Sequence, residues 1–214
     1  MDGIEIIPFQ PSVVSGAARL HARCFPGYFL THLGPTFLRR FYAEFCHYSY
    51  GLVARRVTDG KIVGLVAGWT SSRLHCRRFY RRNLPLLLPL VLYRFVIDPV
   101  IRRQVGTRMW HVKCALTSAL PVMRRRKPQV VTGKEPDQLS RAGLLSIAVD
   151  PDYQGTGLAG ELMREFEDLL RAAGHQAVRL SVFAENERAI AFYRKSGWEL
   201  VRSSTSSWSF EKTL

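Results

Sequence analysis

The first 70 residues alternate between apolar patterns of strand and of helix type. A short apolar run at residues 5–9 predicts a first strand. Apolar residues then recur at three- and four-residue spacing, which predicts two helices with the core positions Val13, Ala17, Leu20 and His21, and Phe37, Leu38, Phe41, Tyr42 and Phe45. Two β-rich runs, 51–57 and 61–69, flank Asp59-Gly60, a pair that readily adopts positive φ angles and predicts an antiparallel hairpin.

The C-terminal third begins with an apolar run at residues 144–149, which predicts a strand. A helix that ends at Gly174 is predicted from the core positions Leu158, Leu162, Phe166, Leu169 and Leu170. A strand at 178–182, a helix at 186–195 and strands at 198–202 and 207–210 follow. The order of elements predicts an α/β (α+β) fold with a mixed, mostly antiparallel central sheet flanked by helices.

Residues 73–127 differ from the rest of the chain in charge. They contain 14 basic residues and one acidic residue, so they carry +13 of the net charge of +14. We interpret residues 73–130 as a basic helical insertion between the third and fourth strands of a single domain, 1–214. Within it, helical spacing predicts an amphipathic helix from Met109, Val112, Leu116, Ala119, Leu120 and Met123.

Three roles stay open for this basic block. It could contact an anionic membrane surface through 73–127, bind a phosphorylated or acidic substrate, or cover part of the core. Charge confined to one block, without a readable nucleic-acid motif, disfavours nucleic acid as a partner.

Composition and the N-terminal residues bear on location. With 47% hydrophobic and 22% charged residues the chain is typical of globular proteins, and no apolar run reaches the length of a membrane span. The acidic N-terminal residues lack a signal pattern, which predicts a cytoplasmic protein and leaves open a peripheral position at the inner face of the membrane. The spacing of Cys24, Cys46, Cys76 and Cys114 resembles no zinc or disulfide framework, so we predict buried free thiols and no metal.

A glycine cluster, Gln154-Gly155-Thr156-Gly157-Leu158-Ala159-Gly160, stands between a predicted strand and a predicted helix. Glycines ahead of a helix let an anion approach the first-turn N–H groups, which have no partner inside the helix. The cluster lacks the Gly-Lys-Ser/Thr of a triphosphate loop and the six-residue frame of dinucleotide sites. Taken alone it predicts either a phosphate cradle or a structural turn.

Two motifs here resemble the GNAT superfamily of acyl-CoA-dependent N-acyltransferases. The first, Gln154-x-x-Gly157-x-Ala159, is similar to that family's pyrophosphate loop. The second is a helix pattern formed by Asn186, Ala189, Tyr193, Gly197 and Trp198. Residues 144–201 look most like protein N-terminal acetyltransferases. The resemblance covers about three quarters of the chain and implies a GNAT-like sheet, from which the basic insertion is the departure.

The resemblance implies an acetyl-CoA site without a metal. The pyrophosphate would lie against main-chain N–H groups of the glycine cluster, and main-chain groups of the preceding strand would bind pantetheine and polarise the thioester. Tyr193 would protonate the leaving thiolate, although a core tyrosine is the alternative. The implied cofactor-binding residues are Ile147, Ala148, Val149, Gln154, Gly155, Thr156, Gly157, Leu158, Ala159, Gly160 and Asn186.

The general base stays open. Ser181 stands where the related acetyltransferases have a fifth-strand glutamate, and the substitutes are Glu185, Asp150, Ser146 through an ordered water, and His111. The four cysteines lie outside both motifs, which disfavours a covalent acyl-enzyme and favours direct attack by an amine.

The acceptor also stays open among an amino sugar or polysaccharide precursor, a protein N-terminus and a small amine. If the basic block borders the acceptor site, it favours an anionic or phosphorylated acceptor. The leucine-rich part of the insertion leaves room for an acyl group longer than acetyl. The alternative function is a non-catalytic acyl-CoA-binding regulator that docks on a membrane or nucleic acid, and the oligomeric state is not predicted.

Overall fold

The described residues form a seven-stranded sheet with helices on both faces. In this computed structural model they are residues 3–47, 50–70, 72–107 and 141–214. The strands are β1 (Ile4–Pro8), β2 (Tyr50–Arg56), β3 (Ile62–Trp69), β4 (Arg141–Val149), β5 (Ala177–Phe183), β6 (Glu199–Ser203) and β7 (Ser207–Thr213). The helices are α1 (Val14–Cys24), α2 (Phe29–His32), α3 (Pro35–Ala43), α4 (Ser72–Ile97), α5 (Pro99–Thr107), α6 (Leu158–Ala172) and α7 (Glu187–Lys195).

The sheet order is β1-β2-β3-β4-β5-β7-β6, and within it only β4 and β5 pair in parallel. That pairing joins residues 141–143 to 177–179 and then stops. Both strands run on to Val149 and Phe183 without further pairing to each other. They therefore diverge and leave a gap in the middle of the sheet. We call this gap the splay.

The architecture confirms the predicted mixed, mostly antiparallel α/β sheet. β4 begins at Arg141 rather than at the predicted Leu144. The three extra residues, Arg141 to Gly143, have no large apolar side chain that would mark them as part of the strand. Ala142 is nevertheless buried and pairs with β5. The predicted amphipathic helix built on Met109 to Met123 lies outside the described residues.

Two apolar clusters cover the two faces of the sheet. The first packs α1 and α3 on one face, and the second packs α6 on the other. The predicted α6 core positions Leu158, Leu162, Phe166 and Leu170 are all buried, while Leu169 is half-buried at the margin. Helical spacing in the sequence thus identified the face of α6 that meets the sheet.

The first part of the basic block packs on the core. Phe79 of α4 meets Phe37 and Phe41 of α3, with ring centroids 5.4 and 5.7 Å apart, and Leu87 and Ile101 are buried in the first cluster. Covering the core is therefore one role of residues 72–107. The bounds of the insertion, 73–130, and its membership in a single domain stay predictions. Within the described ranges, no helix is long and apolar enough to cross a membrane.

A buried polar pair lies between α1 and α3. The Nδ1 atom of His21 is 2.7 Å from the hydroxyl of Tyr42, and the two side chains are 4% and 0% exposed. Burial lowers the pKa of His21 to about 4, so the ring is neutral at pH 7. The neutral ring and the Tyr42 hydroxyl share one hydrogen bond at Nδ1.

We expect His21 to make the fold less stable in mild acid. An unfolded chain takes up the His21 proton near pH 6.5, whereas the folded chain does so only near pH 4, so stability falls as the pH drops through that window. Between pH 7 and 5 the loss is about 2 kcal/mol. Urea unfolding at both pH values, for the wild type and for His21→Gln, measures it. Equal pH dependence in the two proteins would exclude His21 as its source.

Candidate active site

Four element ends meet at the splay. β4 ends at Val149 and β5 at Phe183, and the helices that follow them, α6 and α7, begin at Leu158 and Glu187. Because the carboxyl ends of parallel strands lie at one edge of a sheet, both helix N-termini lie there too. The positive ends of two helices therefore flank a gap bordered by strand main chain.

The glycine turn before α6 is open and left-handed. Gly155 and Gly157 have φ angles of +83° and +91°, which only glycine adopts without strain, and an added Cβ on either would meet no atom within 4 Å. The N–H groups of Gly160 and Glu161 are the first to bond back to the carbonyl of Gly157. The N–H groups before them have no partner inside the helix and suit an anion.

Other residues of the glycine cluster hold the turn in place. The Thr156 hydroxyl donates to the Tyr153 carbonyl at 2.8 Å. Leu158 places its side chain in the core at 1% exposure, so it offers only main chain to a ligand. Ala159 and Gly160 lie in the first turn of α6. Within residues 154–160, all but Leu158 are thus exposed or half-buried.

Gln154 connects the turn to β4 and to α7. Its Nε2 donates to the Val149 carbonyl at 3.3 Å, and its Oε1 accepts from Arg188 at 2.6 Å. The side chain predicted to hold pyrophosphate therefore also positions the turn. Arg188, which the sequence reasoning missed, brings a cation beside it. The signal was available, because a basic residue in the first turn of a helix opposes the helix dipole and suggests a bound anion.

Asp150 anchors the end of β4. Its carboxylate is 1% exposed and lies 3.0 Å from Arg23 and 3.1 Å from Lys61. Burial acts to raise its pKa, but the Asp152 N–H, Lys61 and Arg23 outweigh burial and keep the pKa below its usual value. An ionised carboxylate committed to two cations is poorly suited to accept a further proton, so this candidate base has a structural role.

Tyr193 lies on α7 among aromatic rings. Its ring centroid is 5.5 Å from that of Phe192 and 5.6 Å from that of Trp198. Burial, with Tyr28 as a smaller contribution, raises its pKa, so the hydroxyl stays protonated. No hydrogen bond joins that hydroxyl to another residue of the described part of the chain. Tyr193 is therefore a packed core residue whose hydroxyl can still donate.

An aromatic pair from outside the two motifs lies at the β5 side of the splay. Tyr28, between α1 and α2, meets Phe183 at the end of β5 with ring centroids 5.7 Å apart. Phe183 is 45% exposed, so the pair forms an accessible lip beside Tyr193. Sequence spacing could not bring these residues together, because they are far apart along the chain.

Asn186 is the N-cap of α7, and its side chain accepts from the N–H of Ala189 at 3.1 Å. This contact explains the motif residue by helix capping. The predicted contact of Asn186 with pantetheine is not tested by it. The remaining base candidates differ in setting: Ser181 and Glu185 are exposed, and His111 lies outside the described residues.

Ser146 is the candidate base that the fold connects to other polar groups. It is half-buried in β4 at a register shift against β3, and its side chain hydrogen-bonds the Tyr42 hydroxyl. Since the Tyr42 hydroxyl is also hydrogen-bonded to His21, the three side chains form a chain that leads from β4 into the core.

Cys24 comes closer to the splay than its sequence position suggests. Its Sγ donates to the Val149 carbonyl at 3.4 Å. Burial, followed by the charge of Asp150, raises the pKa of its thiol to about 11, which opposes a nucleophilic thiolate. Cys76 is buried as predicted, Cys24 and Cys46 are half-buried, and all three are free. Among the described residues, no group of three or more His, Cys, Asp or Glu side chains could hold a metal ion.

The fold and the site together define a class of protein: a mixed α/β domain with a splayed parallel strand pair and an anion-binding glycine turn. Residues 130–198 match the family model described as the acetyltransferase (GNAT) family. The matched segment, about a third of the chain, is thus of the GNAT acetyltransferase type.

Related proteins share the matched segment. The [ribosomal protein bS18]-alanine N-acetyltransferase of Escherichia coli K12 is 43% identical over 60 residues, which are 28% of this chain and 40% of that protein. The N-alpha-acetyltransferase RimI of Mycobacterium tuberculosis H37Rv is 41% identical over 56 residues, 26% of this chain and 34% of that protein. The match thus spans less than half of either relative.

A solved structure shares the whole fold. The PaiA N-acetyltransferase of Thermoplasma acidophilum, in complex with coenzyme A, matches with a TM-score of 0.57 and 14% identity over 99% of both chains. At this identity the likeness shows the fold alone, and it confirms the predicted GNAT-like architecture.

Proposed function

We propose that this protein transfers an acetyl group from acetyl-CoA to a primary amine by direct attack. The observation that carries the proposal is the splay between β4 and β5 with the open glycine turn at its end. The turn fits a diphosphate, because unpaired N–H groups, a helix N-terminus and Arg188 converge there without a side chain in the way. Acetyl-CoA supplies the activated acyl group as a substrate.

The residues of the splay have separate tasks in this proposal. N–H groups of Gly155, Gly157 and Ala159 bind the diphosphate, and main-chain groups of residues 147–149 align the pantetheine arm along β4. Main-chain donors of β4 polarise the thioester carbonyl. Tyr193 donates its hydroxyl proton to the departing thiolate as the bond from carbon to sulfur breaks.

The amine has to lose a proton when it attacks, and we assign Ser146 to hold the water that takes this proton and passes it to bulk solvent. Its side chain is hydrogen-bonded to Tyr42, and its hydroxyl oxygen can in addition accept a hydrogen bond from water. The neutral His21 ring keeps Tyr42, and through it Ser146, in one orientation. His21 and Tyr42 are positioning residues in this assignment.

Replacing Ser146 with Ala should lower kcat at least about tenfold while the KM for acetyl-CoA stays within about twofold, because only proton transfer is affected. Steady-state kinetics across pH 6–9 measures this, and the pH at half-maximal kcat should rise in the variant. Ser209→Ala on β7, another strand serine, is the control. A matching rise in the KM for acetyl-CoA would show that Ser146 serves binding instead.

The acceptor that fits best is an α-amine at a protein N-terminus. No free, desolvated carboxylate base is found in the splay among the described residues, and a water held by Ser146 is a weak base. An α-amine has a pKa of about 8 and is partly neutral at pH 7, whereas a lysine amine near 10 is almost fully charged. The names of the related enzymes agree with this choice.

A peptide panel tests the proposed function. Thiol release from acetyl-CoA should follow a free N-terminal alanine peptide, and the product mass should place the acetyl group on the α-nitrogen. The same peptide with a blocked N-terminus and one free lysine is the matched control, and it should react at least about tenfold more slowly. Binding of acetyl-CoA without release on any peptide would favour the regulator over the enzyme. Peptides with an acidic or a basic second residue test whether the protein prefers an anionic acceptor.

Arg188→Gln should weaken acetyl-CoA binding by about three- to tenfold, since the variant removes a solvent-exposed cation beside the diphosphate. Calorimetry at low and high salt measures it, and the difference between wild type and variant should shrink as salt screens the charge. Arg179→Gln is the control, because it removes an arginine of β5 that is paired with Glu211 of β7. Unchanged affinity in Arg188→Gln would remove this residue from the site.

A further inference from the structure

The outward face of α4 is the largest apolar exposure among the described residues. The inward face is buried at Phe79, Asn83 and Leu87. The opposite side, in the C-terminal half of the helix, exposes large apolar side chains to 40–70%: Leu86, Leu88, Leu92, Tyr93, Phe95, Val96 and Ile97. We call these seven residues the apolar face. A contiguous surface of this kind is uncommon on a soluble protein without a partner.

Arginines continue this face toward the start of the helix. Arg77, Arg78, Arg81 and Arg82 are exposed about one to two and a half turns before the apolar face. Arg78, Arg81 and Arg82 also line a surface cavity with the buried Glu44, so the lining keeps a positive balance. Arg102 and Arg103 of α5 are exposed beyond the other end. The apolar face therefore lies between two basic ends.

No charge interrupts the apolar face. Arg94 is the one charged residue between 84 and 97, and its half-buried guanidinium lies against Gly34 on the body of the protein. The helix is thus held from within and presents one apolar side, with its charges placed at the ends. A helix fixed in this way can place its exposed apolar side at a membrane interface while the arginines at its ends reach lipid phosphates.

We propose that the outward face of α4 binds the surface of an anionic lipid bilayer. The apolar face would enter the boundary between headgroups and acyl chains, and the arginines at both ends would contact lipid phosphates, which they can bind in a bidentate manner. The proposal goes beyond the transferase function, because it concerns where the protein lies and not what it transfers.

Charge distinguishes an anionic bilayer from the other partners that the outward face of α4 could bind. A second copy in a symmetric contact would place arginine-rich ends near each other. Residues 108–140 include the predicted apolar positions from Met109 to Met123, but they carry seven basic and two acidic residues, so they would leave the arginines without a counter-charge. A nucleic acid would satisfy the arginines but would leave the apolar face uncovered. An anionic bilayer satisfies both features.

Sedimentation of the full chain with vesicles, without acetyl-CoA, tests the proposal. Binding to phosphatidylcholine vesicles with roughly one third phosphatidylglycerol should be at least about tenfold stronger than binding to phosphatidylcholine alone. Leu92→Asp with Val96→Asp should reduce it at least about tenfold, and Arg81→Gln with Arg82→Gln should reduce the preference for the anionic vesicles. The control, Leu200→Asp with Val201→Asp, adds the same charges to two exposed residues of β6 and should bind like the wild type.

Three results would overturn the proposal. The first is a wild type that stays in the supernatant with anionic vesicles. The second is an equal loss of vesicle binding in the α4 variant and in the β6 control. The third is a dimer that sedimentation velocity without lipid detects only for the wild type. The last result would assign the face to a second copy. Should the α4 variant not fold, Tyr93→Trp replaces it, because the new indole should shift its emission to the blue with anionic vesicles and not without them.

Discussion

Gly157→Asp should weaken acetyl-CoA binding at least about 100-fold, because it places a carboxylate where the diphosphate is expected. The variant also forces a non-glycine residue into the left-handed conformation, at a φ of +91°. Calorimetric titration with acetyl-CoA measures the loss, and circular dichroism and the free energy of unfolding show whether the fold is kept.

The matched control lies at the other end of the same helix. Gly174 has a φ of +84° just after α6, is exposed, and leaves an added Cβ in open space, as Gly157 does. Gly174→Asp therefore introduces the same strain and the same charge away from the splay. We expect near wild-type affinity for acetyl-CoA in this control. If the two variants lose affinity equally, the effect comes from strain and the glycine turn is not the site.

Tyr193→Phe should lower kcat about 100-fold and leave the affinity for acetyl-CoA within about twofold. The ring keeps its contacts with Phe192 and Trp198, so the change removes only the hydroxyl that would protonate the thiolate. Single-turnover kinetics with an N-terminal alanine peptide separates the chemical step from product release.

Tyr50→Phe is the control for this variant. Tyr50 is a half-buried tyrosine whose hydroxyl lies 3.3 Å from His175. His175 comes just before β5 begins, so this contact lies at the paired end of β4 and β5. It should turn over like the wild type. If Tyr193→Phe loses kcat and affinity to the same extent, Tyr193 is a packing residue, which was the alternative that its sequence position left open.

Local motifs explain what the sequence could predict. The strand, glycine turn and helix from Leu144 to Gly174 are contiguous, so spacing alone placed the turn at the start of α6. The helical period of Leu158, Leu162 and Phe166 identified the buried side of that helix, and the Asp59-Gly60 pair located the hairpin between β2 and β3.

Contacts between distant segments explain what it could not. The pairing of Asp150 with Arg23, the contact of Gln154 with Arg188 and the aromatic lip of Tyr28 and Phe183 depend on how α1, α7 and β5 are arranged around the splay. The splay itself is a place where pairing stops, and no residue pattern marks it. The same limit applies to α4, whose leucine-rich run showed neither which side would be buried nor which exposed.

The direct measurement of the central claim is an amide spectrum of the full chain titrated with acetyl-CoA. The N–H signals of Gly155, Gly157 and Ala159 should shift most and saturate together at one equivalent, because these groups bind the diphosphate. Signals of α5, whose residues form no part of the splay, should stay in place. Saturable binding that leaves these three signals unmoved, or no binding at all, would contradict the account.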